Sequence, residues 1–230
     1  MNAIDDKSIV KEYFNGTGFD RWKRIYGDGE VNRVQLGIRT GHQKTVDTLL
    51  GWLQADGNLE GLTVCDAGCG VGSLSIPLAE MGAVVSASDI SEMMVGEGKE
   101  RAAKLFGNNN NPTFTTSDLE SLSGKYDTVV CLDVLIHYPE EKAGDMIKHL
   151  VSMADRRFVV SFAPHTALLY ALKKVGEFFP GPSKATRAYL HREAAVIKTL
   201  EEQGFEIKRR TLNTGNFYFS KLIEAVKKAD

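Results

Sequence analysis

A short apolar segment, Leu62-Thr63-Val64-Cys65, runs into Asp66. Three glycines then follow at alternate positions, Gly68, Gly70 and Gly72, before a helix-forming stretch from Ser73 to Met81. A strand that turns through glycines directly into a helix opens a βαβ unit, and that restricts the fold more than anything else in the chain. The pattern then repeats. Residues 62–66, 83–88, 112–116, 127–132 and 156–162 are short and mostly rich in Val, Thr or Phe, as strands are; 73–81, 91–106 and 139–154 read as the helices between them. Ser91 is placed to cap the second helix, with Glu92 in its first turn. Alternation at this spacing implies an α/β fold with a mostly parallel sheet. The ending departs from it. A helix from Glu193 to Gln203 stops at Gly204, and Phe205–Leu212 and Phe217–Ile223 then read as strands joined by a turn at Asn213-Thr214-Gly215-Asn216. The last pair is therefore expected to be antiparallel.

Two segments lie outside the alternation. Residues 5–56 read as helices without a strand. Ile9, Val10, Tyr13 and Phe14 share one helical stripe; Phe19, Trp22, Ile25 and Tyr26 share another; Gly16, Gly18, Gly27 and Gly29 separate the pieces. We read residues 1–40 as an N-terminal helical arm or lid with glycine hinges, and 41–230 as the main domain. A second insertion, at about 163–190, divides the fifth strand from the last helix. Its apolar residues Leu168, Leu169, Leu172, Phe178 and Phe179 stand beside Lys173 and Lys174. That composition suits a cap over a substrate pocket better than weak peripheral contact with a membrane.

The glycine loop raises the question of what approaches it. A dinucleotide fingerprint spaces its glycines G-x-G-x-x-G and receives a pyrophosphate. Here the spacing is G-x-G-x-G, with Asp66 two residues ahead. A carboxylate disfavours a pyrophosphate and favours an ammonium or a sulfonium. S-adenosylmethionine carries both cations and no phosphate. The next strand ends at Asp89, 21 residues beyond Gly68, where an acid binds ribose hydroxyls, followed by Ile90. The third ends at Ser117-Asp118-Leu119, where Asp118 could accept from the adenine amino group and Leu119 lie against the ring. The fourth ends at Cys131-Leu132-Asp133. All these ends fall on the carboxyl edge of one sheet, where open α/β sheets bind ligands. The expected cofactor residues are Asp66, Gly68, Gly70, Gly72, Asp89, Ile90, Ser117, Asp118, Leu119 and Leu132.

The four strand ends and the final hairpin resemble the class I methyltransferases, a Rossmann-like family with a seven-stranded, mostly parallel sheet whose last strand is antiparallel. The likeness runs from residue 40 to the end. The place after the fourth strand reads Leu132-Asp133-Val134-Leu135-Ile136-His137-Tyr138, without the [DNS]-P-P-[YFW] stretch of amino-methyltransferases acting on adenine or glutamine. A net charge of −2 gives no general pull toward nucleic acid. A closer resemblance covers nearly the whole chain. Tyr13-Phe14-Asn15-Gly16-Thr17-Gly18-Phe19-Asp20-Arg21-Trp22-Lys23-Arg24-Ile25-Tyr26-Gly27 and Cys131-Leu132-Asp133-Val134-Leu135-Ile136-His137-Tyr138-Pro139 are similar to the magnesium protoporphyrin IX methyltransferases of chlorophyll synthesis. That resemblance implies esterification of one propionate of magnesium protoporphyrin IX, with a magnesium chelatase subunit as a partner that delivers the porphyrin. No residue here carries the handover by itself. The opening MNAIDDKS lacks a signal or transit pattern, and no run of about 18 apolar residues occurs, so a cytoplasmic, cyanobacterial protein is expected, at most peripheral at photosynthetic membranes.

A propionate is already ionised at pH 7, so the reaction needs orientation and a dry pocket more than a general base. His137 and Tyr26 are the expected catalytic residues. His137 follows the fourth strand end and could orient the propionate or ligate the porphyrin magnesium; Tyr26 sits on the arm and could close over the site. Phe14, Trp22 and Tyr13 are expected to pack the lid. Arg24, Arg33 and Arg39 are candidates for the cofactor or propionate carboxylates, and His165 is a weaker candidate. His42, His149 and His191 are read as structural. Cys65, Cys69 and Cys131 form neither a disulfide framework nor, with any His cluster, a metal site. Three other activities compete. A phenol or quinone precursor as acceptor would make His137 a general base. A cofactor-binding scaffold would bind without transfer, and a nicotinamide oxidoreductase would bind a dinucleotide instead.

Overall fold

The computed structural model describes residues 6–167, 169–170 and 189–228. The βαβ pattern becomes β1 (Thr63–Ala67), α4 (Ser75–Glu80), β2 (Val84–Asp89), α5 (Glu92–Phe106), β3 (Thr113–Thr116), β4 (Tyr126–Cys131), α6 (Glu140–Ser152) and β5 (Ala154–Phe162). Three helices precede it: α1 (Asp6–Phe14), α2 (Phe19–Ile25) and α3 (Arg33–Asp56). After the insertion come α7 (Glu193–Glu202), β6 (Phe205–Gly215) and β7 (Tyr218–Lys227). The strands form one sheet in the order β3-β2-β1-β4-β5-β7-β6. The first five are parallel, and β7 runs antiparallel between β5 and β6. This is the sheet the sequence pattern implies.

Side chains of successive residues leave a strand on opposite faces, so each central strand feeds two cores. Val64, Val130 and Val159 join Leu49, Leu53 and Leu78 of α3 and α4 on one face. Cys65, Val129 and Phe158 join Met146, Leu150 and Leu200 of α6 and α7 on the other. Ser91 caps α5 as expected, its Oγ accepting the Met94 N–H. Next to the sheet's far edge strand, Glu224 of β7 is fully buried and receives Arg157 at 2.8 Å and Arg209. Asp56, the last residue of α3, meets Arg157, Lys208 and Arg209, which ties the long helix to β5 and β6.

Three expectations shift. The turn of the final hairpin is Asn216-Phe217, not 213–216, and β6 continues to Gly215. Gly215 serves a close approach instead: a Cβ there would lie 2.9 Å from the Gly37 carbonyl oxygen of α3. Helix α4 begins at Ser75, because residues 70–74 are spent in turns of the glycine loop. Helix α3 runs through residue 40 without a break, opened by a capping box between Asn32 and Gln35.

Candidate active site

The carboxyl ends of β1, β2 and β4 open on a cavity of about 760 Å³, where the strand order reverses. The glycine loop forms one wall. Gly68, Gly70 and Gly72 all have positive φ, +85°, +53° and +83°. Two of them make room for the protein itself. A Cβ on Gly68 would sit 2.1 Å from a Val134 methyl, and one on Gly72 would sit 2.8 Å from the Phe114 ring. Only at Gly70 does the space beside the backbone lie open. A ligand meets the bare main chain there.

The acids hold that loop in place. Asp89 accepts the Gly70 N–H through Oδ2 and the Ser91 N–H through Oδ1, both at 2.9 Å. Burial raises its pKa, against the pull of those N–H groups. Asp66 is buried and accepts the Ser75 hydroxyl. Burial pushes its carboxyl up to about 6; the Ser75 bond opposes this and the Asp89 charge adds to it. Gly68, Gly70, Asp89, Ile90, Ser117, Leu119 and Leu132 line the cavity; Asp66, Gly72 and Asp118 do not. Asp118, expected at the adenine, instead pairs with Lys7 of the arm at 2.6 Å and caps the turn at Ser121. The Lys7 ammonium holds its carboxyl below the usual range.

His137 and Tyr26 reach the same cavity from different directions in sequence. His137 ends a 3-10 turn, Leu135–His137, just beyond β4. Its Nδ1 is buried with no hydrogen-bond partner among the described residues. Burial lowers its pKa to about 4 although the Asp133 charge works the other way, so the imidazole is neutral at pH 7. Phe14 meets its ring edge-on at 5.5 Å. Tyr26 has the Trp22 ring at 5.4 Å and the His42 ring at 4.7 Å. Burial first, then Asp133 and Asp89, hold its hydroxyl protonated.

The sequence reading missed the cluster behind Tyr26. His42 is not merely structural: it lines the cavity, and its Nδ1 lies 3.0 Å from Asp133 Oδ2. Tyr218 donates to the same oxygen at 2.6 Å, and Ser161 and Ser220 donate to Oδ1 at 2.7 and 2.9 Å. Burial alone would raise the Asp133 carboxyl; the His42, Tyr218 and Ser161 bonds instead bring it down to about 2. Position after β4 was the only local signal for Asp133, and its partners lie 28 to 91 residues away. His149 and His191 bond the Leu122 and Leu135 carbonyls, as structural residues do. His165 packs on Tyr170 and does not line the cavity.

The arm is tied down by side chains from the main body. Arg39 meets no carboxylate among the described residues: it donates to the carbonyls of Ile25, Arg24 and Gly29 at 2.7–2.9 Å. Arg24 donates to the Asp20 carbonyl. Arg101 of α5 donates to the Tyr26 carbonyl at 2.6 Å. Ser91, two residues beyond Asp89, donates to Asn15 and to the Phe14 carbonyl. Val10, Phe14, Trp22 and Tyr26 of the arm line the cavity; Tyr13 does not, and its hydroxyl accepts the Trp22 indole N–H at 3.2 Å.

The lining carries the carboxylates of Asp89 and Asp133 and, among the described residues, no Lys or Arg. Such a wall suits a cationic sulfonium and repels a pyrophosphate, which disfavours a dinucleotide. The open backbone at Gly70, an acid at the second strand end and an apolar wall at Leu119 fit the parts of S-adenosylmethionine. Fold and site together define a class I S-adenosylmethionine-dependent methyltransferase. Residues 64–155 match the methyltransferase domain model, and residues 131–227 match the model for the magnesium-protoporphyrin IX methyltransferase C-terminus. The magnesium-protoporphyrin O-methyltransferase of Synechocystis is 62% identical over 98% of both chains. Two crystal structures of magnesium protoporphyrin IX methyltransferase from Synechocystis PCC 6803 superpose on this one. The form with bound SAH has a TM-score of 0.90, with 60% identity over 96% of this chain and all of that one. The form with bound SAM has a TM-score of 0.88, with 56% identity over 99% of this chain and all of that one. The chain belongs to the magnesium protoporphyrin IX methyltransferases.

Proposed function

We propose that this chain transfers a methyl group from S-adenosylmethionine to one propionate carboxylate of magnesium protoporphyrin IX, giving the monomethyl ester of chlorophyll synthesis. The observation that carries the reading is the His137 ring, whose Nδ1 is buried with no hydrogen-bond partner among the described residues, in an aromatic cavity beside an acid-bearing wall. When bound, S-adenosylmethionine supplies a methyl group on a positive sulfur. Asp89 keeps lone pairs for ribose hydroxyls after accepting two backbone N–H groups. Gly70 leaves its main chain open to close approach, and Ser117 and Leu119 bound the adenine end.

The acceptor carboxylate is ionised at neutral pH, so no residue has to remove a proton. Neutral His137 donates one hydrogen bond from a ring N–H, which orients the attacking oxygen without neutralising it. A guanidinium in that place would stabilise the carboxylate more strongly and blunt the attack. Phe14, Trp22 and Tyr26 exclude water, which matters because carboxylate and sulfonium both lose charge as the methyl moves. Tyr26, held protonated, is a second neutral donor.

The moving part of the arm is read as residues 6–31, ahead of the α3 capping box. Leu169 lines the cavity, which supports the insertion as a cap; the other residues of its proposed membrane stripe lie outside the described residues. No helix of the described residues is long and apolar enough to cross a membrane. Failure to co-sediment with anionic vesicles would leave the cap alone. Receipt of the porphyrin from a magnesium chelatase subunit rests on the family resemblance, and pull-down with that subunit tests it. The reaction itself is tested with purified protein, S-adenosylmethionine and magnesium protoporphyrin IX, with metal-free protoporphyrin in parallel and products weighed by mass spectrometry. A monomethyl ester from the magnesium form is expected. No ester, with cofactor still bound, would return the search to phenols and quinone precursors.

A further inference from the structure

Among the described residues, two that are not glycine adopt positive φ: Asp133 at 57° and Phe217 at 65°. Both line the active-site cavity. Strain of this kind persists where the surroundings enforce it, and it gathers at functional sites. The two cases differ in what compensates them. Asp133 is held by its N–H to Ser161 and by donors from His42, Tyr218, Ser161 and Ser220. Among the described residues Phe217 has no such return, and the residue is 69% exposed, the highest value among the exposed large apolar residues described.

The turn around Phe217 is clamped. A Cβ on Gly37 would fall 2.0 Å from the Asn216 carbonyl oxygen, and one on Gly41 would fall 2.2 Å from the Tyr218 ring. Helix α3 thus reaches the hairpin tip at two points where only glycine fits. Tyr218 then anchors the tip to Asp133 and Thr45. A rigid turn offers an aromatic ring at the cavity, in a backbone conformation that glycine or asparagine would adopt with less strain.

We infer that Phe217 is an acceptor-contacting residue: its ring meets the flat apolar face of the molecule that accepts the methyl group, and so sets acceptor affinity without touching the cofactor. This rests on the reading of the acceptor as a magnesium porphyrin. Stacking of a planar ligand on an aromatic ring explains why a bulky residue stands where the turn favours a small one.

The test uses the full chain as wild type, Phe217→Ala, Phe217→Tyr and Phe217→Gly. Acceptor KM is read with magnesium protoporphyrin IX, cofactor Kd by calorimetry and Tm by thermal unfolding. Phe217→Ala is expected to raise the acceptor KM by about tenfold, equivalent to ~1.4 kcal/mol, with cofactor Kd within about twofold of wild type, the error of such a comparison. Phe217→Tyr should retain most acceptor affinity, and Phe217→Gly should lose it while unfolding at a higher temperature than Phe217→Ala. Unchanged acceptor KM in Phe217→Ala, or a fall in cofactor affinity of the same size, would overturn the assignment. So would a Phe217→Gly protein less stable than Phe217→Ala, since the turn would then not favour glycine. If the wild type itself makes no ester from magnesium protoporphyrin IX, the acceptor reading fails, a result distinct from a wild type that turns over normally and a Phe217→Ala variant that matches it.

Discussion

The two sides of the cavity are built by different means. The cofactor side is made of strand ends and backbone: Gly68 and Cys69 N–H both donate to the Ser88 carbonyl at 2.8 Å, and Asp89 holds Gly70 and Ser91. These four bonds join neighbouring strands or residues two apart. The arm side is assembled from a distance. Arg39, Arg101 and Ser91 reach 10 to 78 residues along the chain to fix α1, α2 and the loop after them. A surface set by parallel-strand register has one geometry; a surface set by long side chains at its rim can open without breaking the sheet. On this view the first side chooses the cofactor and the second admits the acceptor, with His137 where they meet.

His137→Phe gives the largest expected effect. Turnover should fall by about 100-fold, the low end for removing a positioned donor, while cofactor affinity and Tm stay near wild type, since the lost Nδ1 bonded nothing among the described residues. Normal kcat would remove His137 from the chemistry. Asp89→Ala comes next. Losing charge-assisted bonds to ribose, it should weaken S-adenosylmethionine binding by about 1.5–3 kcal/mol and leave the acceptor KM alone. A shift in both constants would show that the two sides are not separable.

The legible parts of the molecule follow the same division. The sheet and most of its cavity-lining strand ends are legible because strand, glycine turn and acid follow each other within a few positions, and the chemistry of each strand end is local. The pairing of Asp118 is not legible locally because its partner, Lys7, lies 111 residues earlier. His42 was passed over because Asp133 is 91 residues away. Arg39 looked like a carboxylate ligand because sequence shows a guanidinium's charge but not the three carbonyls it meets. The hairpin turn slipped because Gly215 had two possible uses, and the close approach of α3 took it.

The middle-sized effect is one of pH. Asp66 has its carboxyl raised to about 6, so part of the free protein's stability is present at low pH and is lost as pH rises through 6 and the buried carboxyl ionises. A cation bound nearby favours the ionised form. Cofactor binding should therefore release a proton below about pH 6 and tighten as pH rises through that value, and the thermal shift it produces should widen between about pH 5 and pH 7. Affinity that stays flat across that window would mean the bound sulfonium and ammonium do not feel Asp66. Arg39→Ala should follow in size. Loss of three bonds to main-chain carbonyls frees the loop after α2, so the acceptor KM should rise by roughly fivefold, about 1 kcal/mol of net hydrogen bonding, and protease should cut residues 6–31 faster. Protection by S-adenosylmethionine should be reduced with it.

Lys7→Ala is the smallest change and the sharpest test of the division, because it touches both sides. Lys7 lies on the arm, and Asp118 follows the strand end between the cavity-lining residues Ser117 and Leu119. Their side chains are 30% and 23% exposed, so solvent screens the pair. The expected loss is below ~1 kcal/mol in stability and should shrink further in high salt. The informative quantity is which constant moves. If the arm is a lid for the acceptor alone, the acceptor KM drifts up slightly and cofactor Kd does not change. If Lys7 instead holds Asp118 away from the adenine, its removal frees that carboxylate to accept from the amino group, and cofactor affinity rises. The same substitution on an Asp118→Asn background separates the two, since the rise disappears there while the drift in acceptor KM has already been spent by loss of the pair.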